Sequence, residues 1–311
     1  MCILFVAISD NPKDDGYQVI IANNRDEYFE RPTKPAGFWN DDPHCISGLD
    51  QKAGKEGGTW LSLSTQNKIG VLLNIQVLSK DGGTDTVGTK KGRGFLVTDF
   101  MSTPKTARDY ITSVERDGDT FYPFNLALLE KSANSDRWRL HYCNNEDQHS
   151  HEVWSNGIHG IGNSTIHKPW NKVKHGINRM ETIISQFKAA KNKTNRKEEL
   201  KIALLDLLND DKSHLPDPQL ESQLPQAWQK SHSAIFVKPT EGIRCGTRTN
   251  TVVIIDSEGL CEYVDRTMED SINADSVKWT TSNYIFQMDY KNSHPKLDRM
   301  KLRRRSSLLL I

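Results

Sequence analysis

Two apolar, β-branched runs follow each other at the start of the chain, Cys2 to Ser9 and Tyr17 to Asn23. The segment between them contains Asn, Pro, Asp and Gly, which are the residues that turns favour. This pattern predicts two buried, adjacent, antiparallel strands. Cys2 then stands at the head of the first strand, and the polar run Asn24 to Glu27 stands at the end of the second. No basic region precedes the first run and no small-residue cleavage site follows it, so it does not resemble a secretory signal.

Short strands and amphipathic helices follow in blocks along the rest of the chain. Further strands are predicted at 46–48, 59–64, 69–74, 124–129, 137–142, 158–162, 234–237, 251–256 and 262–264. A helix is predicted from Thr103, with Pro104 at its first helical position. Apolar residues at helical spacing predict two more helices packed on a sheet face: Val173, Ile177, Met180, Ile184 and Phe187, then Leu200, Leu204, Leu207 and Leu208. This order predicts an α+β fold and is compatible with two stacked sheets between helices, although spacing alone does not select that design.

Length, charge and cysteine content narrow the class of protein. The 311-residue chain carries 41 Lys plus Arg against 40 Asp plus Glu, so it has no global field that would attract nucleic acid. No apolar stretch approaches the ~20 residues of a membrane-spanning helix. The length fits one domain over 1–290 followed by a basic tail over 291–311. Five cysteines without metal-ligand spacing predict free thiols, no metal site and a reducing compartment, the cytoplasm.

Cys2 becomes the terminal residue if Met1 is removed, which places a thiol and an α-amine on one residue. A free thiol titrates near ~8.5 and an α-amine near ~7.7–8.0, so the amine can accept the thiol proton close to neutral pH. Taken alone this signal is weak, because a cysteine is often a small buried hydrophobe.

Polar side chains at the predicted strand ends strengthen the case for a site near Cys2. They are Asn24, Arg25, Asp26 and Glu27 after the second strand, Asn74 and Asn163 at two further strand ends, and Arg248 before another strand. Amide and guanidinium groups are suitable donors to an oxyanion or a carboxylate. The alternative for each is an ordinary turn or cap residue, a role that asparagine favours.

Ordered motifs along nearly the whole chain, to about Tyr290, resemble those of the NRDE family, also called the transport and Golgi organisation protein 2 family. The matching stretches are Met1-Cys2-Ile3, Ala22 to Glu27 with Arg31-Pro32, Ser47 to Asp50, Gly54 to Leu61, Gly92-Arg93-Gly94, Leu215 to Pro218 and Gly246 to Thr251. The resemblance implies a four-layer αββα sandwich of the N-terminal-nucleophile hydrolase type, with Cys2 in the nucleophile position.

The resemblance also implies a set of residues around Cys2. In the related choloylglycine hydrolase group an Arg, an Asp, two Asn and a second Arg support the cysteine. By resemblance those places would be taken here by Arg25, Asp26 or Glu27, Asn74, Asn163 and Arg248. Arg25 and Asp26 are adjacent, whereas that group spaces its Arg and Asp apart. The sequence therefore leaves open which acid faces the thiol.

Two functions follow from the resemblance. As a binding protein, the chain would hold haem or acyl-CoA in a pocket formed by Asn24 to Glu27 and Arg248. It would then act in haem mobilisation, acyl-CoA and lipid homeostasis and ER–Golgi organisation, in the cytoplasm with mitochondrial or Golgi association. As an enzyme, Cys2 would attack the amide or thioester of a small acylated substrate, with Asn74 and Asn163 stabilising the oxyanion. No haem ligand can be named from the sequence, because histidine is common in polar loops.

The tail is basic from Lys296 to Arg305 and ends on Ser306, Ser307 and a short apolar stretch. We expect this tail to be solvated and disordered. The alternative is peripheral contact with an anionic membrane surface, to which each basic residue contributes about 1 kcal/mol of attraction.

Overall fold

The strands form two antiparallel sheets. The computed structural model describes residues 2–77, 91–131, 136–147, 151–190, 195–240, 244–269 and 277–288. Within these ranges the first sheet has the spatial order β10 (Gly157–Ile161), β1 (Cys2–Ile8), β2 (Tyr17–Tyr28), β11 (Cys245–Asp256), β12 (Leu260–Met268) and β13 (Trp279–Gln287). The second sheet follows chain order: β3 (Thr33–Phe38), β4 (Cys45–Asp50), β5 (Leu61–Ser64), β6 (Lys68–Asn74), β7 (Phe124–Lys131), β8 (Trp138–Asn144) and β9 (Glu152–Trp154).

Helices cover the outer faces of both sheets. The helices of the described ranges are α1 (Pro12–Asp15), α2 (Phe95–Ser102), α3 (Ala107–Arg116), α4 (Asn171–Ala189), α5 (Arg196–Leu208), α6 (Pro218–Glu221) and α7 (Gln226–His232), with a 3-10 turn at Gly118–Thr120, and α2 to α5 are the ones that cover the sheets. One apolar cluster joins the first sheet to α4 and α5, and another joins the second sheet to α2 and α3. A third cluster lies between the sheets. The predicted α+β class and its four-layer αββα sandwich are therefore confirmed.

The first strand is apolar throughout because both of its faces are buried. Leu4, Val6 and Ile8 point into the cluster between the sheets. Ile3, Phe5 and Ala7 point toward the helices. The predicted antiparallel pairing of the first two strands is also confirmed, with Cys2 opposite Arg25 and Ile8 opposite Val19.

The prediction of a strand at 234–237 is wrong, because this buried segment is a loop between α7 and β11. Side chains take up much of its backbone hydrogen bonding. Lys172 Nζ donates to the Ala234 carbonyl at 3.1 Å, and Asn24 Nδ2 donates to the Ile235 carbonyl at 3.0 Å. The Val237 N–H donates to Thr247 Oγ1 at 2.9 Å. An apolar run alone does not reveal that side chains replace a strand partner.

The helix predicted to start at Thr103, with Pro104 as its first helical residue, begins at Ala107 instead. Thr106 is the N-cap: its hydroxyl oxygen accepts a hydrogen bond from the Asp109 N–H at 3.2 Å and donates to the Asp109 carboxylate at 2.8 Å. This reciprocal cap satisfies an N–H that the first helical turn leaves without a backbone partner, and it decides where the helix starts.

All five cysteines are free thiols, as predicted, and all are buried. No helix in the described ranges is long and apolar enough to cross a membrane. The basic tail over 291–311, including Lys296 to Arg305, lies outside the described residues.

Candidate ligand-binding cleft around Cys2

Strand register decides which polar residues share a face with Cys2. Residues directly opposite each other in an antiparallel pair project from the same face of the sheet. Cys2 lies opposite Arg25, so both face the space between the two sheets. Asn24 lies opposite Ile3 and therefore faces the helices.

A cleft of about 530 Å³ opens beside Cys2, where the first strand begins. Residues from both sheets and from two glycine-containing loops line it. They are Cys2, Arg25, Asp26, Glu27, Arg31, Asp50, Lys52, Lys55, Gly58, Thr59, Trp60, Leu72, Asn74, Gly92, Arg93, Gly94, Phe95 and Tyr122. The volume is in the range of small-molecule pockets.

Asn163 links Cys2 to the second sheet. Its Oδ1 accepts a hydrogen bond from the Cys2 nitrogen at 3.0 Å, and its Nδ2 donates to the Asn74 carbonyl at 2.7 Å. The Asn163 amide is therefore engaged at both ends. The Asn74 side chain lines the cleft, and its amide makes no hydrogen bond within the described residues. Of the two predicted oxyanion donors, Asn74 is the one that faces the cleft with a free amide.

The Cys2 thiol is held in its protonated form by its surroundings. Burial raises its pKa above that of an ordinary thiol. The positive charge of the amino terminus lowers that pKa, the Asp26 carboxylate raises it, and a hydrogen bond from the Asp26 backbone lowers it. Because burial outweighs the opposing effects, a thiolate at Cys2 needs a nearby base to take the proton.

Of the two acids, Asp26 is the one whose charge raises the pKa of the Cys2 thiol. Asp26 Oδ1 accepts a hydrogen bond from Thr247 Oγ1 at 2.6 Å, and burial raises the pKa of its carboxyl. Glu27 turns toward two arginines, with Oε2 lying 3.8 Å from Arg25 Nη2 and 3.2 Å from Arg31 Nη1.

Arg25 forms part of the cleft wall. Its guanidinium lies 4.1 Å from the centre of the Trp60 ring, and its Nη1 donates to Thr33 Oγ1 at 2.9 Å. A guanidinium over an indole face is a stable cation–π arrangement. These contacts hold the charge of Arg25 in one position at the base of the cleft.

Asn24 and Arg248 do not line the cleft. Asn24 Nδ2 donates to the Leu208 and Ile235 carbonyls, which ties β2 to the helical layer. Arg248 sits at a bulge in β11, and its Nη1 donates to the Arg31 carbonyl at 2.5 Å and to the Tyr28 carbonyl at 3.2 Å. The structure places both predicted ligand-binding residues in backbone-supporting positions, so neither enters the function proposed below.

Several lining residues had no role assigned from the sequence. Arg31, Lys52, Lys55, Trp60 and Arg93 all line the cleft. Most stand in or beside the motifs Arg31-Pro32, Gly54 to Leu61 and Gly92-Arg93-Gly94. Those motifs were the available signal, but nothing in one chain's sequence tells which motif residues meet in space.

The described residues contain no group of three or more His, Cys, Asp or Glu side chains that could hold a metal ion. Of the side chains that bind haem iron in proteins, the described cleft lining contains only those of Cys2 and Tyr122.

Known sequences that are similar to this chain share one family description. A family profile described as "Transport and Golgi organisation 2" matches residues 1–270. The "Transport and Golgi organization protein 2 homolog" of Homo sapiens is 33% identical over 296 residues, covering 93% of this chain and 99% of that protein. The Mus musculus homolog is 32% identical over 295 residues with the same coverage. The Drosophila melanogaster protein of similar name is 31% identical over 274 residues, covering 86% and 92%.

Two solved structures of a conjugated bile acid hydrolase from Clostridium perfringens, both of altered forms of that enzyme, also resemble the chain. The first has 9% sequence identity, a TM-score of 0.38 and coverage of 96% of this chain and 100% of that one. The second has 8% identity, a TM-score of 0.36 and coverage of 94% and 99%. At these scores the likeness adds nothing to the description of the cleft.

Proposed function

The chain belongs to the Transport and Golgi organisation 2 family, and from that premise we propose that it is a ligand-binding protein of transport and Golgi organisation whose ligand occupies the cleft at Cys2. The lining combines Trp60, Leu72, Phe95 and Tyr122 with five cationic side chains against three acidic ones. A molecule with an acyl chain and an anionic head matches both surfaces. This pairing of an apolar wall with excess positive charge carries the proposal.

Acyl-CoA is the ligand class that the site supports best. Its acyl chain would lie against the apolar wall, and its anionic end would meet the cations. The proposal extends to a role in lipid homeostasis and secretory-pathway organisation, in the cytoplasm with mitochondrial or Golgi association.

Haem is supported less well than acyl-CoA. Its carboxylates would suit the same cations, but its iron requires an axial ligand. Cys2 would have to serve as a thiolate, and burial raises the pKa of that thiol. Haem mobilisation through this cleft therefore requires that haem binding itself deprotonate Cys2, or that Tyr122 serve as the ligand.

Titration of the purified protein with palmitoyl-CoA and with haem tests the proposal. We expect Arg25→Ala to weaken palmitoyl-CoA binding about tenfold or more, because a charge-assisted contact is lost. Arg137→Ala, which removes an exposed guanidinium just before β8, is the control. An Arg25→Ala protein that remains folded by circular dichroism and binds both ligands with wild-type affinity would remove Arg25 from the ligand site.

Cys2-dependent hydrolysis of a small acylated substrate is the second candidate. The Cys2 nitrogen is fixed by Asn163, and the Asn74 amide, which has no hydrogen-bond partner in the described part of the chain, belongs to the same cleft. With Met1 removed, the α-amine would take the thiol proton, the thiolate would attack the carbonyl carbon, and Asn74 would donate to the oxyanion. Collapse of that intermediate would expel the amine or thiol, and water would then release the acid.

The intact mass of the protein and a turnover assay decide between ligand binding and hydrolysis. If Met1 is retained, this nucleophilic route is excluded. If Met1 is absent, a wild-type protein that hydrolyses acyl-CoA or an N-acyl substrate and a Cys2→Ser protein that does not would support the enzyme.

A further inference from the structure

The acidic side chains of the cleft form ion pairs and hydrogen bonds near its base. Positive charge therefore remains at its mouth. The Glu27 carboxylate lies within 4 Å of the guanidinium groups of both Arg25 and Arg31. The Asp50 carboxylate accepts hydrogen bonds from two nitrogens of Arg31, the closer at 2.5 Å. Asp26 is engaged with Thr247. No acid of the described lining is paired with Lys52 or Lys55.

Lys52 and Lys55 sit on a short braced loop. The Asp50 N–H donates to the Gly58 carbonyl at 2.8 Å, and the Gly57 N–H donates to the Asp50 carbonyl at 3.0 Å. The Asp50 carboxylate also accepts a hydrogen bond from the Lys52 backbone N–H at 3.0 Å. These bonds close the segment from Asp50 to Gly58 and present both lysines at the cleft.

Lys55 lies across Gly92 on the facing loop. A Cβ placed on Gly92 would be 2.6 Å from Lys55 Nζ and 3.1 Å from its Cδ. The Lys55 side chain therefore packs against the backbone of Gly92, and both residues line the cleft. Neither lysine has an ion-pair or side-chain hydrogen-bond partner within the described residues.

Two unneutralised ammonium groups at one edge of a pocket attract a multiply charged anion, and lysine is a common point-charge ligand for phosphate. We propose that Lys52 and Lys55 form a phosphate subsite at the mouth of the cleft, which selects acylated ligands carrying phosphate over simple fatty acids. This inference rests on the proposed ligand-binding function for the acyl part alone. The phosphate part stands on the geometry of the two lysines.

Titration with inorganic pyrophosphate tests the subsite directly. The proteins are wild type, Lys52→Gln/Lys55→Gln and a control, Lys212→Gln/Lys230→Gln, which removes the same charge from two exposed lysines elsewhere. We expect wild type and control to bind equally and the Lys52/Lys55 variant to bind about tenfold or more weakly. Equal affinity in all three folded proteins, or no binding to wild type, would overturn the subsite.

A matched pair of acyl ligands separates this inference from the proposed function. Wild type should bind octanoyl-CoA about tenfold or more tightly than octanoyl-pantetheine, which lacks the phosphorylated nucleotide, and the Lys52/Lys55 variant should lose that preference. A preference that survives in the variant would overturn the inference. Lysine-dependent pyrophosphate binding without binding of either acyl ligand would support the subsite and refute the acyl-binding function.

A vesicle arm identifies the source of the phosphate. Lysine-dependent binding to phosphatidic acid vesicles, without binding to octanoyl-CoA, would assign the subsite to a lipid headgroup. Lysine-dependent octanoyl-CoA binding without vesicle binding would assign it to a soluble thioester.

Discussion

At the scale of the residue, Asn163 connects Cys2 to the second sheet. One amide holds the Cys2 nitrogen and reaches the Asn74 carbonyl of the other sheet. The side chain is fully buried, so water cannot replace either bond when the amide is removed. The position of Cys2 in the cleft therefore depends on a residue far away in sequence.

Removal of the Asn163 amide should destabilise the protein. Each buried polar group left without a partner costs about 1–3 kcal/mol, so we expect Asn163→Ala to lower the free energy of unfolding by about 2–5 kcal/mol in urea denaturation. Asn156→Ala, at an exposed position, should change it by less than about 0.5 kcal/mol. Equal effects of the two substitutions would contradict the role of Asn163.

The pH dependence of Cys2 alkylation should reflect its burial. The thiolate is the reactive form, and a raised pKa means that this form appears at a higher pH than in a free cysteine. The rate of Cys2 modification by iodoacetamide should therefore still be rising at pH values where the rate for an ordinary cysteine has levelled off. Peptide mass spectrometry measures this rate, with the same peptide in the urea-unfolded protein as the reference. A rate that levels off at a lower pH than that of the reference peptide would show that the pKa is not raised.

At the scale of the element, helix α4 lies close to the first strand because of one glycine. A Cβ on Gly176 would stand 2.0 Å from Phe5 Cζ, inside a layer of buried apolar residues. The helix stripe was predicted from Val173 to Phe187, and its packing on a sheet is confirmed. The close approach of α4 to β1 follows from the contact between Gly176 and Phe5.

Gly176→Ala should destabilise the protein despite the better helix propensity of alanine. That propensity favours alanine by about 0.8–1.0 kcal/mol, whereas overpacking of a close-packed layer costs about 1–3 kcal/mol. We expect a net loss in the free energy of unfolding by urea denaturation. Asn178→Ala, at a solvent-facing position of the same helix, should be neutral or stabilising. A Gly176→Ala protein as stable as the Asn178→Ala protein would refute the close contact.

At the scale of the whole molecule, the two sheets share one core. Leu4 and Val6 of the first sheet and Val71 and Leu129 of the second belong to the same buried cluster. Neither sheet can expose its inner face without exposing that of the other. The cleft lies at the edge of this shared core, so its shape depends on both sheets staying together.

A shared core predicts that the chain unfolds in one transition. Tryptophan fluorescence and far-UV circular dichroism should give superimposable urea curves, because both sheets lose their packing together. Two separated midpoints would contradict the prediction of one domain over 1–290.

The sequence by itself determined the α+β class and the neighbourhood of the site. The apolar run at the start of the chain predicted a buried first strand, and the hairpin placed Cys2 beside the run Asn24 to Glu27, as the register shows. Amphipathic stripes predicted helices on a sheet. These features depend on side chains close together along the chain, where the periodicity of a strand or helix is visible.

Only the tertiary structure decided which of those residues meet in the cleft. A shift of one residue moves a strand side chain to the opposite face, and this separates Arg25 from Asn24. The bulge at Arg248 sends a predicted ligand-binding group to backbone carbonyls, and stacking of the two sheets brings Asn74 to Asn163. Lys52 and Lys55 stand on a loop whose bracing is made by backbone groups. Register, bulges and the contacts between sheets join residues that are distant in sequence, and no local pattern records them.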